Sequence, residues 1–153
     1  MFDIDTFRAW IKTHFVRKRD LNLLMGQWTP SIAFGGASTG IAYTLQHGLY
    51  TRVSNLCFIE VDLRLSAKGS STGTATISGL PFPADANRNI GWVRWTNMAT
   101  SFISLYALTG ANSASLTLQG LTAAAVSYGG ALYDTNFNNN TILLFNMVYR
   151  VSS

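Results

Sequence analysis

The 153-residue sequence is short of charge: Asp, Glu, Lys and Arg make up 12% of it, about half the share of an ordinary soluble protein. A surface built instead from Ser, Thr, Asn, Gly and Ala repels neighbours weakly, which suits permanent association. Cysteine is nearly absent, and the single Cys57 excludes an intramolecular disulfide framework. Its place on the apolar side of an alternating stretch makes it a small core hydrophobe rather than a nucleophile. The two histidines, His14 and His47, fall in different predicted elements. No Cys/His/Asp cluster has metal-ligand spacing, so neither a metal nor another cofactor is expected. No apolar run approaches the ~20 residues of a membrane span, and the opening Met-Phe-Asp-Ile-Asp lacks the pattern of a secretory signal; synthesis in the cytoplasm is expected. No sequence period repeats.

What is present is strand pattern. Across residues 57–66 the odd positions are Cys57, Ile59, Val61, Leu63 and Leu65, and the even ones Glu60, Asp62, Arg64 and Ser66, the alternation of a half-buried strand. Residues 68–73 (KGSSTG) hold no apolar side chain and two glycines, so the chain is expected to reverse there and run back through residues 74–77 as a hairpin. Pro81 and Pro83 then end the return strand. Tyr50, Asn55, this alternating strand, the turn at 68–73 and the Ile77-x-Gly79-Leu80-Pro81 segment together resemble a module of tailed-bacteriophage virion proteins, which include tail-fibre and head-fibre tips and capsid decoration proteins. The pattern covers roughly a quarter of the chain and departs at Ser54, where a glycine is expected before Asn55. The resemblance implies a structural or adhesive role in the virion, three subunits, a phage capsid or tail protein as partner, and no catalytic residues.

The one predicted helix spans residues 3–20. Asp3 or Asp5 caps it, and Ile4, Phe7, Ile11 and Phe15 recur at three- and four-residue steps along one side, widened by Trp10. Arg8, Lys12, Arg17, Lys18 and Arg19 make it basic. Residues 1–26, closed by Gly26, are read as an attachment arm, and residues 27–153 as a β domain. Short strands are expected at 31–34, 41–45, 49–53, 90–97, 101–108, 113–119 and, more weakly, 123–128. A turn is placed at His47-Gly48 and a polar loop at 134–140, with a last strand at 141–151. So many short strands with turn signals between them predict an all-β fold, an antiparallel, jelly-roll-like sandwich with one N-terminal amphipathic helix.

Candidate chemistry is sparse. Glu60 and Asp62 have the two-residue spacing of paired carboxylates, but Arg64 continues the row, and mixed charges on one strand face make a salt-bridged ladder. Residues 69–73 look like a phosphate loop without the Lys-Ser/Thr pair and helix that such a loop needs. Five of the eleven basic residues lie in the helix of a chain with net charge +4, which suits nucleic acid, an anionic membrane surface or an acidic protein surface alike, and the virion resemblance favours docking on an acidic protein surface. No enzyme activity is expected. The low charge and the strands with large apolar residues on both faces predict a homo-oligomer, with Trp92, Phe145 and Tyr149 as interface candidates. The aromatics Trp92, Trp95, Tyr106, Tyr128 and Tyr133 offer sugar-stacking platforms, so the alternative is a fibre tip that binds a receptor or host surface glycan.

Overall fold

The computed structural model describes residues 4–6, 9–10, 22–123 and 129–152. Residues 4–6 and 9–10 are helical. Ten strands follow among the described residues: β1 (Leu23–Trp28), β2 (Ser31–Phe34), β3 (Ile41–Val53), β4 (Leu56–Lys68), β5 (Ala75–Ser78), β6 (Ile90–Met98), β7 (Ser104–Thr109), β8 (Ser115–Leu121), β9 (Gly130–Ala131) and β10 (Phe137–Arg150). They pair antiparallel along one path, β1-β3-β4-β10-β6-β7-β8-β5-β2, with β9 added to β8.

The path turns over at β6. Ile90, Gly91 and Trp92 pair with β7, whereas residues 93–96 and Met98 pair with β10. One sheet thus becomes two layers. The inward register of β4 and β10 (Ile59, Val61, Leu63, Leu65, Leu143, Phe145, Met147 and Tyr149) joins Ile32, Phe34, Ile77, Leu105, Leu116 and Leu118 of the other layer in one buried cluster. Burying each such side chain contributes roughly 1.5–3 kcal/mol. The pairings nest, with β4 on β10, β5 on β8 and β6 on β7, which is the connectivity of a long hairpin rolled up, as in a jelly roll. On the far side β3 reaches across to β2: the Ile32 N–H donates to Tyr43 Oη at 3.0 Å, and Gln46 Nε2 donates to the Pro30 carbonyl at 3.0 Å.

Four local expectations change. The strand at 57–66 and the segment at 74–77 are not a hairpin: β4 pairs with β3 and β10, while β5 pairs with β2 and β8 in the other layer. The loop between them is an arch pressed against residues 35–40. Ser70 N–H donates to the Thr39 carbonyl at 3.0 Å, Thr39 N–H to Ser71 Oγ at 2.8 Å, and Gly73 N–H to the buried Asp134 carboxylate at 2.8 Å. Its glycines serve close backbone approach, since a Cβ on Gly69 (φ 72°) would overlap the Thr39 carbonyl oxygen. The true hairpin joins β3 to β4 through Ser54-Asn55.

Residues 41–53 form a single strand with no turn at His47-Gly48. Gly48 lies opposite Trp28, whose indole occupies the space of a Cβ and whose Nε1–H donates to the Leu49 carbonyl at 3.3 Å. Residues 23–26, assigned to the arm from the sequence, are the first part of β1 and pair with β3. The polar stretch at 134–140 divides into a 3-10 turn at Asp134–Asn136 and the bulged start of β10, where Asn140 takes φ 61°. Most of the weak strand expected at 123–128 lies outside the described residues.

Candidate functional site: an apolar outer sheet face

Because β4 alternates, its odd residues fill the core and Phe58, Glu60, Asp62 and Arg64 point away from it. The same parity on β10 turns Ile142, Leu144, Asn146 and Val148 outward. Pairing sets these residues in rows, one of which runs Met25, Thr51, Phe58, Val148 across four strands. The layer formed by β1, β3, β4, β10 and the second half of β6 therefore presents an outer face rich in apolar side chains. Phe58 is 45% exposed, and Ile90 and Trp92, at the point where β6 turns over, are 59% and 72% exposed. An outward aliphatic and aromatic row of this extent is unusual on a surface that meets only water.

Gly91 fixes the geometry of the Trp92 region. A Cβ there would stand 3.0 Å from Met147 Cβ and 3.1 Å from the Asn146 carbonyl oxygen, so β6 lies directly on β10. Trp92 stands above this contact with Tyr106 edge-on to it, ring centroids 6.2 Å apart. A groove of about 600 Å³ runs between β6 and β10, lined by Phe58, Glu60, Ile90, Trp92, Asn146 and Val148. On the other side of Trp92 a second groove of about 480 Å³ is lined by Arg88, Ile90, Trp92, Tyr106, Leu108 and Gln119.

The charged row of β4 holds one ion pair among the described residues. Arg64 donates from Nε and Nη2 to the two Asp62 carboxylate oxygens at 2.8 and 2.7 Å, and these bonds hold the Asp62 carboxyl below its ordinary range. Glu60, next in the row and exposed, has no such partner among the described residues. Also among the described residues, no three of His, Cys, Asp and Glu come together as a metal site, and no helix is long and apolar enough to cross a membrane.

The residues singled out in the sequence separate. Trp92 is on the outer face, beside Tyr106. Phe145 and Tyr149 are not available to a partner: both are buried in the chain's own core, because the inward register of β10 is 143, 145, 147, 149. Tyr149 Oη donates to the Phe82 carbonyl at 2.9 Å, and burial pushes its phenol, like the neighbouring Cys57 thiol, toward the neutral form. Trp95 packs edge-on to Phe102, and Tyr133 lies at the β9 end of the other layer. Ile4 is on the described helical turn at 4–6 and is 58% exposed; Phe7, Ile11, Phe15 and Tyr128 lie outside the described residues. Phe58, Val148 and Ile90 were not singled out by sequence reasoning. The available signal was Phe58, an aromatic that heads an otherwise charged outward register.

Fold and face together define the class: a rolled antiparallel β-knob with a second apolar surface outside its core. The solved Dettilon tailspike protein contains a similar fold, with a TM-score of 0.70 and 14% identity over 85% of this chain. The match covers 24% of the tailspike chain, so the present chain spans about a quarter of that protein's length. No family model and no curated protein matches the sequence.

Proposed function

We propose that the chain is a non-enzymatic structural component of a bacteriophage virion, a homo-oligomeric β-knob held on the particle through its N-terminal segment. The observation that carries this reading is the apolar outer face around Phe58, Val148, Ile90 and Trp92, which a subunit contact would remove from water. The low charge of the chain and the knob fold found within a tailspike support it, and the latter favours a fibre or spike of the tail over capsid decoration. The virion resemblance of the sequence makes three subunits the expected number. Sedimentation of the full chain tests the reading. An oligomer at micromolar concentration that Phe58→Asp dissociates into folded 16.7 kDa monomers is expected; a wild-type monomer would contradict it. Electron microscopy of intact particles then distinguishes tail from head.

A second reading, a tip that binds a receptor glycan, is favoured by the exposed Trp92 ring beside Tyr106 and the groove that Arg88 and Gln119 line. Apolar ring faces stack on sugar rings while the polar groups take hydroxyls. Retention on a glycan array that is lost in Trp92→Ala, with assembly intact, would support it. No retention of the wild type would leave the structural role alone.

A further inference from the structure

We propose that two copies of this chain join edge to edge, β1 of one pairing antiparallel with β1 of the other about a two-fold axis at Met25. This contact is separate from the outer-face contact above. The two ends of the strand path use their backbone differently. At β2 the outer groups are taken: the Ile32 N–H donates to Tyr43 Oη at 3.0 Å, Tyr43 Oη donates to the Ile32 carbonyl at 3.3 Å, and Phe34 and Ala37 exchange N–H to carbonyl bonds of 2.8 and 3.1 Å. At β1, whose six residues are all described, the bonds among the described residues are to β3 alone. Which groups this leaves follows from the loop at Ser54-Asn55. Across a two-residue loop the flanking residues, here Val53 and Leu56, exchange both bonds, and bonding direction alternates along a strand. Arg52, Tyr50 and Gly48 therefore bond Leu24, Gly26 and Trp28, and the N–H and C=O groups of Leu23, Met25 and Gln27 point away from β3.

These three residues are self-complementary. With Met25 opposite Met25 of the second copy, Leu23 falls opposite Gln27, and every outer donor of β1 meets an acceptor. With no proline, lysine or bulge, β1 lacks the devices that keep an edge from pairing, and it brings no like charges to the axis. Directly opposite residues share a face, so the row Met25, Thr51, Phe58, Val148 runs on into the same row of the second copy and covers Met25, which is 69% exposed. Six residues a side is small against the roughly 20–30 of a stable interface. The pairing therefore acts where oligomers present several edges together, and Phe58→Asp still releases monomers.

Disulfide trapping in the full chain, where Cys57 is buried, tests this. At the axis the two Met25 Cα atoms stand about 5.5 Å apart, within disulfide reach, whereas the two Gln27 residues are offset by about 13 Å. Mild oxidation should therefore give linked dimers in Met25→Cys and almost none in Gln27→Cys. Met25→Pro, which removes an edge N–H but no bond to β3, should keep the fold by circular dichroism and halve the sedimenting mass. Linking at 27 as strong as at 25, no link at 25, or an unchanged mass in Met25→Pro overturns the proposal and leaves the outer-face contact standing. A wild-type dimer that Met25→Pro dissociates and Phe58→Asp does not would uphold the edge pairing and refute the outer-face contact instead.

Discussion

Ser54 occupies the first position of the two-residue loop between β3 and β4 with φ 55°, a conformation in which a Cβ is crowded and glycine is preferred. Ser54→Gly should raise stability by about 0.5–1 kcal/mol, read as a higher midpoint in urea with an unchanged slope. The opposite is expected at Gly69, where the left-handed backbone and the Thr39 carbonyl leave no room: Gly69→Ala should cost more than about 2 kcal/mol in the same measurement. At Asp62 the sign with pH follows from the direction of its shift. A carboxyl held below its ordinary value contributes stability above its unfolded pKa, about 3.9, and loses it as pH falls through the lower, folded value. The pair is exposed, so its contribution is small. Arg64→Gln should return the Asp62 titration, followed by NMR, toward the ordinary range while barely altering stability at neutral pH.

At the scale of elements, β10 is the strand on which the two layers depend, since it pairs with β4 on one side and β6 on the other. Phe145→Ala should cost about 3–5 kcal/mol, and Tyr149→Phe about 1 kcal/mol by stranding the Phe82 carbonyl; thermal unfolding checks both. Alternation made much of this legible. The inward and outward sides of residues 57–66, the hairpin of β7 and β8, and Trp92 opposite to Val93 and Trp95 all follow from period two. What alternation cannot supply is the partner. KGSSTG carries the composition of a reverse turn whether the following strand returns to its neighbour or crosses to the other layer, and only the long-range contacts with residues 35–40 and Asp134 decide. Gly48 misled similarly, because a glycine making room for Trp28 and a glycine making a turn look alike in sequence. The register of β10 was equally ambiguous: Ile142, Leu144 and Val148 are as apolar as Leu143, Phe145 and Met147, so the candidates Phe145 and Tyr149 were drawn from the side that proved to be core.

For the whole molecule, deletion of residues 1–21 should leave the β domain folded, with β1 intact, and under the proposed virion role it should abolish incorporation into the particle, assayed by purifying virions; unimpaired incorporation would refute the proposed attachment. The nested pairing has a further consequence, for the order in which the chain can fold. The inner strand β4 is paired on one side by β3 through a two-residue loop, but its other side waits for β10, whose nearest partner in sequence is Ile142, opposite Arg64 and 78 positions further along. During synthesis β4 therefore emerges long before its final neighbour does, with its apolar register uncovered and one edge open to wrong strands. Such dependence on distant partners places the refolding rate in the millisecond-to-second range. Nascent chains halted before residue 137 should collect as aggregates or on chaperones, whereas chains released after Arg150 should become protease-resistant in a single step.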